Sequence, residues 1–575
     1  MSQNGSEIVV DRAKSSWSDL WKKEDYWAIW LGFLILGLAL CVVMSGRPNL
    51  DKESLPLLQT IAAEKQKPIK TIEFYQAKAS LKKVQGKNLP LLKQMLGYLK
   101  TPGAWHANPL DSLAMSKEQA DAANAAVKPK VEAAKEAEAQ ALELAKTAQA
   151  AAADAQYADQ ALNDAATAAI GTWQKAVGET AKISKKLKKP FNIYGSLAVL
   201  GLGLGVLVTF GACFMGYNPV KFFLGFLGVY VVCVIAQILG KQDVMKGWGL
   251  NAEIWSIVIG MLVANTVGSP KWLKYSAQVE YFIKTGLVLL GADVLIYKLM
   301  AIGIPGIFVA WVVTPIVLVC TYIFGQKLLK IESPTLNIVI SADMSVCGTS
   351  AAIATAAAAQ AKKEELTLSI GLSLTFTAIM MVVIPAIIKA CGMPEILGGA
   401  WIGGTIDATG AVAAAGAFVG PKAMQVAATV KMIQNVLIGV TAFFVAIYFT
   451  TKVHKQEGEK VGAMEIWHRF PKFVLGFLGV SIICSIICSS LGADQATILI
   501  ENGTNQIGKS FRGWFFALAF VAIGLTTNFR ELKGYLKGGK PIILYVCGQT
   551  FNLLLTLAMA YLMFYKVFPE ITAKI

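Results

Sequence analysis

Two stretches of the chain place an acidic side chain beside a run of very small residues inside otherwise apolar sequence. They are Ser341-Ala-Asp343-Met-Ser345-Val-Cys347-Gly348-Thr349-Ser350 and Gly403-Gly-Thr405-Ile-Asp407-Ala-Thr409-Gly410. An Asp at the centre of a bilayer-spanning helix costs about 2.5–3.5 kcal/mol on insertion scales, so neither carboxylate is expected to face lipid. In both, Gly and Ser or Thr accompany the acid, and an Ala-rich run follows. This order predicts a half-helix, an unwound turn over 343–348, and a second helix capped by Thr349 or Ser350. A helix N-terminus left in a membrane interior exposes free N–H groups and a partial positive charge, which attract an anion. Two such ends facing each other would form one small polar cavity for a compact solute.

The carboxylates compete with an anion for the same dipole. Either Asp343 and Asp407 take up protons or a cation such as Na+, coupling it to solute movement, or a base such as Lys431 neutralises them. Lys431 and Asn435 lie in Val430-Lys-Met-Ile-Gln-Asn435, within an apolar span over 425–449. A Lys there is expensive unless paired, so it is read as a counter-ion or anion ligand, or else as an end residue reaching for the interface. The substrate- or ion-binding candidates are therefore Asp343, Ser345, Cys347, Gly348, Thr349, Ser350, Thr405, Asp407, Thr409, Gly410, Lys431 and Asn435. The plain alternative is that small residues only let helices pack closely while the acids cap them. Asn265, Asp293, Asn337, Gln434, Gln549 and Asn552 are expected to make interhelical hydrogen bonds.

These residues must be held by membrane helices. Of 575 residues, 55% are hydrophobic and 16% charged, and apolar runs recur at about 26–44, 193–214, 219–239, 251–267, 280–299, 303–325, 366–390, 425–449, 471–490, 511–529 and 541–565. The fold class is an all-α polytopic membrane protein. The broken segments, 335–361 and 396–421, make thirteen crossings if they span and eleven if they re-enter, in which case they enter from opposite faces. The fragment Leu224-Gly-Phe-Leu-Gly-Val229 reappears as Leu475-Gly-Phe-Leu-Gly-Val480, an echo expected of a duplicated bundle or of chance in Gly/Leu-rich helices.

The net charge of +16 is concentrated at Arg12 to Lys23, Lys271 and Lys274, Lys327 and Lys330, Lys452 to Lys472 and Arg530 to Lys540. With the N-terminus in the cytoplasm these fall on one side, so positive-inside loops explain the excess and no nucleic-acid partner is expected. The domains are then a cytoplasmic tail at 1–25, an uncleaved anchor helix at 26–44, an extracytoplasmic insertion at 45–190, and the membrane domain at 191–575. The insertion becomes Ala, Lys, Glu and Gln rich from about 115, which predicts one long helix or an antiparallel pair broken at Pro129 or Gly171. It serves as a solvated spacer, or as an arm for a homo-oligomer or helical partner. The nine cysteines lie in or beside apolar segments, and His106, His454 and His468 are scattered, so neither a disulfide framework nor a metal motif is read. No phosphate-binding loop, nucleophile elbow or zinc-protease motif occurs, so the chain is not read as an enzyme and no cofactor is expected beyond a coupling Na+ or H+.

Five motifs resemble those of the sulfate exporter (YeiH-like) family of bacterial inner-membrane proteins. They are Gly286-Leu-Val-Leu-Leu-Gly-Ala-Asp293, Ser345-Val-Cys-Gly-Thr-Ser-Ala-Ala352, Gly403-Gly-Thr-Ile-Asp-Ala-Thr-Gly-Ala-Val412, Val430-Lys-Met-Ile433 and Ala522-Ile-Gly-Leu-Thr-Thr-Asn528. The resemblance implies a secondary transporter of the inverted-repeat, broken-helix type, moving a small anion. The 45–190 insertion has no counterpart in that pattern. A passive anion channel, or a scaffold or sensor working through the arm, are the competing expectations.

Overall fold

The computed structural model of the chain describes residues 16–247, 252–294, 296–449, 451, 467, 470–528, 539–573 and 575. Most of the basic stretches at 452–472 and 530–540, with His454 and His468, lie outside the described residues. Among those described, nine helices are long and apolar enough to cross a membrane, and the only strands are a two-residue antiparallel pair, Ala114–Met115 with Phe191–Asn192. Hydrocarbon offers no partners for backbone N–H and C=O groups, so the apolar segments satisfy them internally as helices. None of the nine cysteines forms a disulfide.

The helices that matter below are α1 (Glu24–Glu64), α2 (Lys128–Asp154), α3 (Gln160–Ser184), α4 (Tyr194–Phe214), α5 (Pro219–Leu239), α6 (Ala252–Asn265), α7 (Val279–Leu290) and α8 (Leu299–Leu328). They continue as α9 (Pro334–Ala342), α10 (Thr349–Ala359), α11 (Lys363–Ala390), α12 (Glu395–Thr405), α13 (Thr409–Val419), α14 (Pro421–Tyr448), α15 (Phe473–Leu491), α16 (Asp494–Thr526) and α17 (Gly539–Val567). Three expected boundaries move. The anchor expected to end at 44 continues as helix α1 to Glu64, through Pro48 and Pro56, because the polar stretch after Ser45 is itself rich in good helix formers. The span expected over 251–267 ends at Asn265, and its described part, from Ala252, is the 14-residue α6. The span expected over 280–299 is broken after α7. Gly291 there packs against the Phe477 carbonyl, which a Cβ would approach to 2.5 Å, and Asp293 turns to Arg512 and to Lys509 at 3.5 Å.

The two broken segments are both hairpins. In the first, α9 and α10 return to one base, where Glu365 accepts from Ser333, from Thr335 at 2.8 Å and from the Lys362 backbone N–H at 2.9 Å. Its two arms pack side by side through Ile338, Val339, Ala352, Ala356 and Ala359. In the second, α12 and α13 return to Glu395, which accepts from the Lys422 backbone N–H at 3.0 Å. Glu365 sits at the start of α11 and Glu395 just beyond its end, so the hairpins enter from opposite ends of that helix. Their bases are tied there, and their tips meet between.

The chain divides into two compact units, one of residues 1–35, 201–487 and 508–575, the other of 36–200 and 488–507. The second unit contains the antiparallel pair α2 and α3, where Thr180 Oγ1 donates to the Ala134 carbonyl at 3.1 Å. The turn between them falls at 155–159, with Gln156 and Tyr157 at positive φ, and not at Pro129 or Gly171. Pro129 is tolerated because it lies in the first turn of α2, and Gly171 is carried inside α3. Ile69, Ile72, Ala145, Ala152, Ala166, Ile170 and Trp173 form the core of this unit. Trp173→Ala should therefore destabilise the pair by about 3–5 kcal/mol, seen as early loss of the arm under limited proteolysis, with wild-type resistance counting against this core.

Candidate functional site

The tip of the first hairpin is a widened, continuous helical turn rather than an unwound loop. Residues Asp343–Cys347 adopt a π-helical turn, and only Gly348 leaves helical space, at φ 61° and ψ −133°. Gly348, not Thr349 or Ser350, occupies the N-cap position of α10, and no side chain caps the helix. The second tip breaks at 406–408, and α13 likewise begins with no side-chain cap, behind Ala408. Both helices thus start with backbone N–H groups that lack an intrahelical partner.

Helix α11 passes both tips and ties each acid with one serine. Ser369 Oγ donates to Asp343 Oδ2 at 2.6 Å, and Ser373 Oγ, one turn on, donates to Asp407 Oδ2 at 3.1 Å. Tyr545 of α17 donates its hydroxyl to the same oxygen of Asp407 and stacks on Phe376 with ring centroids 4.6 Å apart. The tips touch directly: a Cβ on Gly348 would stand 3.3 Å from both Asp407 Cβ and Ser373 Oγ. The remaining oxygens, Asp343 Oδ1 and Asp407 Oδ1, are buried with no hydrogen-bond partner.

Lys431 is fully enclosed, so it does not reach for an interface. Its Nζ donates to the Val346 carbonyl at 2.7 Å and to Gln434 Oε1 at 2.8 Å, not to either carboxylate. Gln434 in turn donates to Thr314 Oγ1 and the Ser345 carbonyl, both at 3.0 Å, and to the Gly404 carbonyl at 3.3 Å. Lys431 and Gln434 thus solvate the carbonyls that the broken helices leave free. Gln549 does the same for Thr405 O at 2.8 Å and Asn552 for Met344 O at 3.3 Å.

On the other side of the tips lies a cavity of about 470 Å³. Its inner wall is made by Cys347, Ser350, Thr409, Asn435 and Ile438. Asn435 Nδ2 donates to Thr409 Oγ1 at 3.1 Å, which leaves the Thr409 O–H free to donate. Two hydroxyls, a thiol and two uncapped helix starts make this wall rich in donors, which suits an anion. Asp343 and Asp407 do not line it. Thr405 bonds back to the Trp401 carbonyl at 2.6 Å, and Gly410 packs near Ile283 of α7 and Ile523 of α16, so neither lines the cavity. Ser345 is buried with its hydroxyl unpartnered, its carbonyl held by Gln434, and Thr349 is half-buried beside the tip.

The outer wall comes from residues not among the site candidates: Asp19, Lys22 to Tyr26, Glu280, Lys284 and Lys472. Lys284, with its side chain only 13% exposed, pairs with Glu24 at 2.6 Å, Asp25 at 2.8 Å and Glu280 at 3.5 Å. Lys284→Met would leave Glu24, Asp25 and Glu280 without the lysine they share. It should cost about 3–5 kcal/mol, read as a lower unfolding midpoint in detergent that Lys284→Arg largely restores; an unchanged midpoint would show the cluster to be solvated.

The sequence profile described as Conserved hypothetical protein 698 matches residues 224–545, which span both hairpins and the start of α17. The chain belongs to this family. Two proteins of Nitratidesulfovibrio vulgaris named UPF0324 membrane protein are each 59% identical over 579 residues, covering the whole of both chains. UPF0324 membrane protein RB9488 of Rhodopirellula baltica is 53% identical over 379 residues, 64% of this chain and 69% of its own. No solved structure matches. The 45–190 segment lies before the matched profile, yet the two full-length alignments include it. Full-length relatives therefore align over it, although the family profile itself does not include it.

Proposed function

We propose that this UPF0324 protein is a secondary transporter that moves a small anion, sulfate-like or organic, across the bacterial inner membrane in exchange for or together with H+ or Na+. The observation that carries the reading is the donor-rich cavity wall assembled from both hairpin tips. A cavity closed at one end by two opposed broken helices is the arrangement in which small relative movements of the hairpins would expose a bound solute alternately. The N-terminus is assigned to the cytoplasm on the charge distribution, which places α2 and α3 outside it.

The test is flux of labelled sulfate, and of small carboxylates and sulfonates, into proteoliposomes containing the full chain under imposed pH or Na+ gradients. A carrier gives saturable uptake that collapses with the gradient. Linear, non-saturating flux favours a passive anion channel, and no flux of any such anion removes the reading. The separate core of the arm favours one other reading, a scaffold or sensor. Replacing residues 67–190 by a short linker separates the two, since a carrier keeps its flux.

A further inference from the structure

The cavity accounts for Cys347, Ser350, Thr409 and Asn435, but it leaves two buried carboxylates on the opposite side of the same tips without a task. Asp343 is fully enclosed and Asp407 is 2% exposed. Each is held through Oδ2 by a serine of α11, and each keeps Oδ1 buried with no donor. Ser345 Oγ and Gln549 Oε1, beside the first tip and one turn from Tyr545 on α17, are buried and unpartnered too. The two free carboxylate oxygens and the Gln549 amide oxygen can only accept, and buried acceptors need a donor or a cation, whereas the Ser345 hydroxyl can itself donate. The ionisable groups facing the pair are Tyr545 from α17, Lys431 from α14 and Cys347 from the first tip. Tyr545 already gives its hydroxyl to Asp407, and Lys431 spends two of its hydrogen bonds on a backbone carbonyl and Gln434. Two negative charges on touching tips, with one nearby cation engaged elsewhere, repel each other strongly in a medium of low dielectric.

We infer that Asp343 and Asp407 form a proton-carrying dyad, separate from the anion cavity, that loads and releases H+ as the two hairpin tips move. Its role as the coupling site rests on the carrier reading above. A proton needs no coordination shell, and the tips are in close contact, an added Cβ on Gly348 standing 3.3 Å from Asp407 Cβ and Ser373 Oγ. The step is proton transfer alone: an O–H bond forms on a free carboxylate oxygen as one breaks on water or on the other acid, and no electrons change hands. The serines and Tyr545 stabilise whichever carboxylate is charged, so proton loading and tip contact are linked.

The decisive experiment is infrared spectroscopy of the full chain in lipid nanodiscs, titrated with pH. The expected result is a protonated-carboxyl stretch at neutral pH that shifts in D2O and is lost in the Asp343→Asn/Asp407→Asn double variant. Ser373→Ala, which removes one donor from Asp407 and spares both acids, should move the loss of that band to higher pH. Absence of the band at neutral pH in wild type, or thermal stabilisation by NaCl over choline chloride that disappears in the double variant, would overturn the dyad. Failure of sulfate and every other anion to enter proteoliposomes with the band intact would instead remove the carrier reading and leave the dyad standing.

Discussion

Asp407→Asn should abolish gradient-driven flux while the protein still purifies as a folded, monodisperse species. Asn is nearly isosteric with Asp and keeps one side-chain oxygen to accept from Ser373 and Tyr545. Losing part of that hydrogen bonding costs about 1 kcal/mol, a small share of what holds a helical membrane bundle. What Asn cannot do is exchange a proton or carry charge. A loss of roughly 100-fold or more is the scale seen when a group that must take and give a proton is removed. Asp343→Asn should behave alike, because Ser369 holds it as Ser373 holds Asp407. Flux assays in proteoliposomes, with size-exclusion profiles and unfolding midpoints as controls, decide the matter. Wild-type flux in both variants would mean that the tips use their acids only as braces.

The acids were legible because composition itself breaks the helix pattern: no lipid-facing helix needs Asp, Gly and Ser or Thr together within eight residues. Which residues hold them was not legible. Ser369 and Ser373 lie in Thr367-Leu-Ser-Ile-Gly-Leu-Ser-Leu-Thr375, where a hydroxyl in an apolar helix ordinarily bonds back to the carbonyl four residues earlier. Thr367 and Thr375 do that, to Lys363 O at 2.9 Å and Gly371 O at 2.7 Å. Only tertiary packing turns the two serines toward the tips, and sequence carries no mark of it. The choice between spanning and re-entering was open for the same reason, since Glu365 and Glu395, which close the hairpin bases, read as ordinary helix-end acids. Lys284 was hidden differently. Its partners Glu24 and Asp25 are about 260 residues away in sequence, so nothing local distinguishes it from an interfacial lysine.

Gly348→Ala should have the second large effect, and it separates contact between the tips from the chemistry of the acids. At φ 61° and ψ −133° the backbone of Gly348 lies where an L side chain is strained, which costs about 1–3 kcal/mol. The added methyl would also stand 3.3 Å from Asp407 Cβ and Ser373 Oγ, closer than comfortable contact. The neighbours cannot yield freely, because Asp407 is pinned by Tyr545 and Ser373 is part of α11. The tips must therefore move apart by a few tenths of an ångström, loosening the Ser373–Asp407 hydrogen bond and the geometry of the inner cavity wall. Misplacement of reacting or binding groups on the order of 1 Å can cost roughly 100-fold, so a smaller shift should lower flux by about tenfold. Gly392→Ala is the matched control: Gly392 also has positive φ, 60°, but a Cβ there meets nothing within 4 Å. It should carry the milder strain of a helix C-terminal glycine, with a smaller drop in unfolding midpoint, and keep its flux. If both alanines reduce flux equally, strain alone explains the loss and tip contact has no part in transport. If Gly348→Ala fails and Gly392→Ala does not, the two hairpins work as one device, closed where Gly348 meets Asp407.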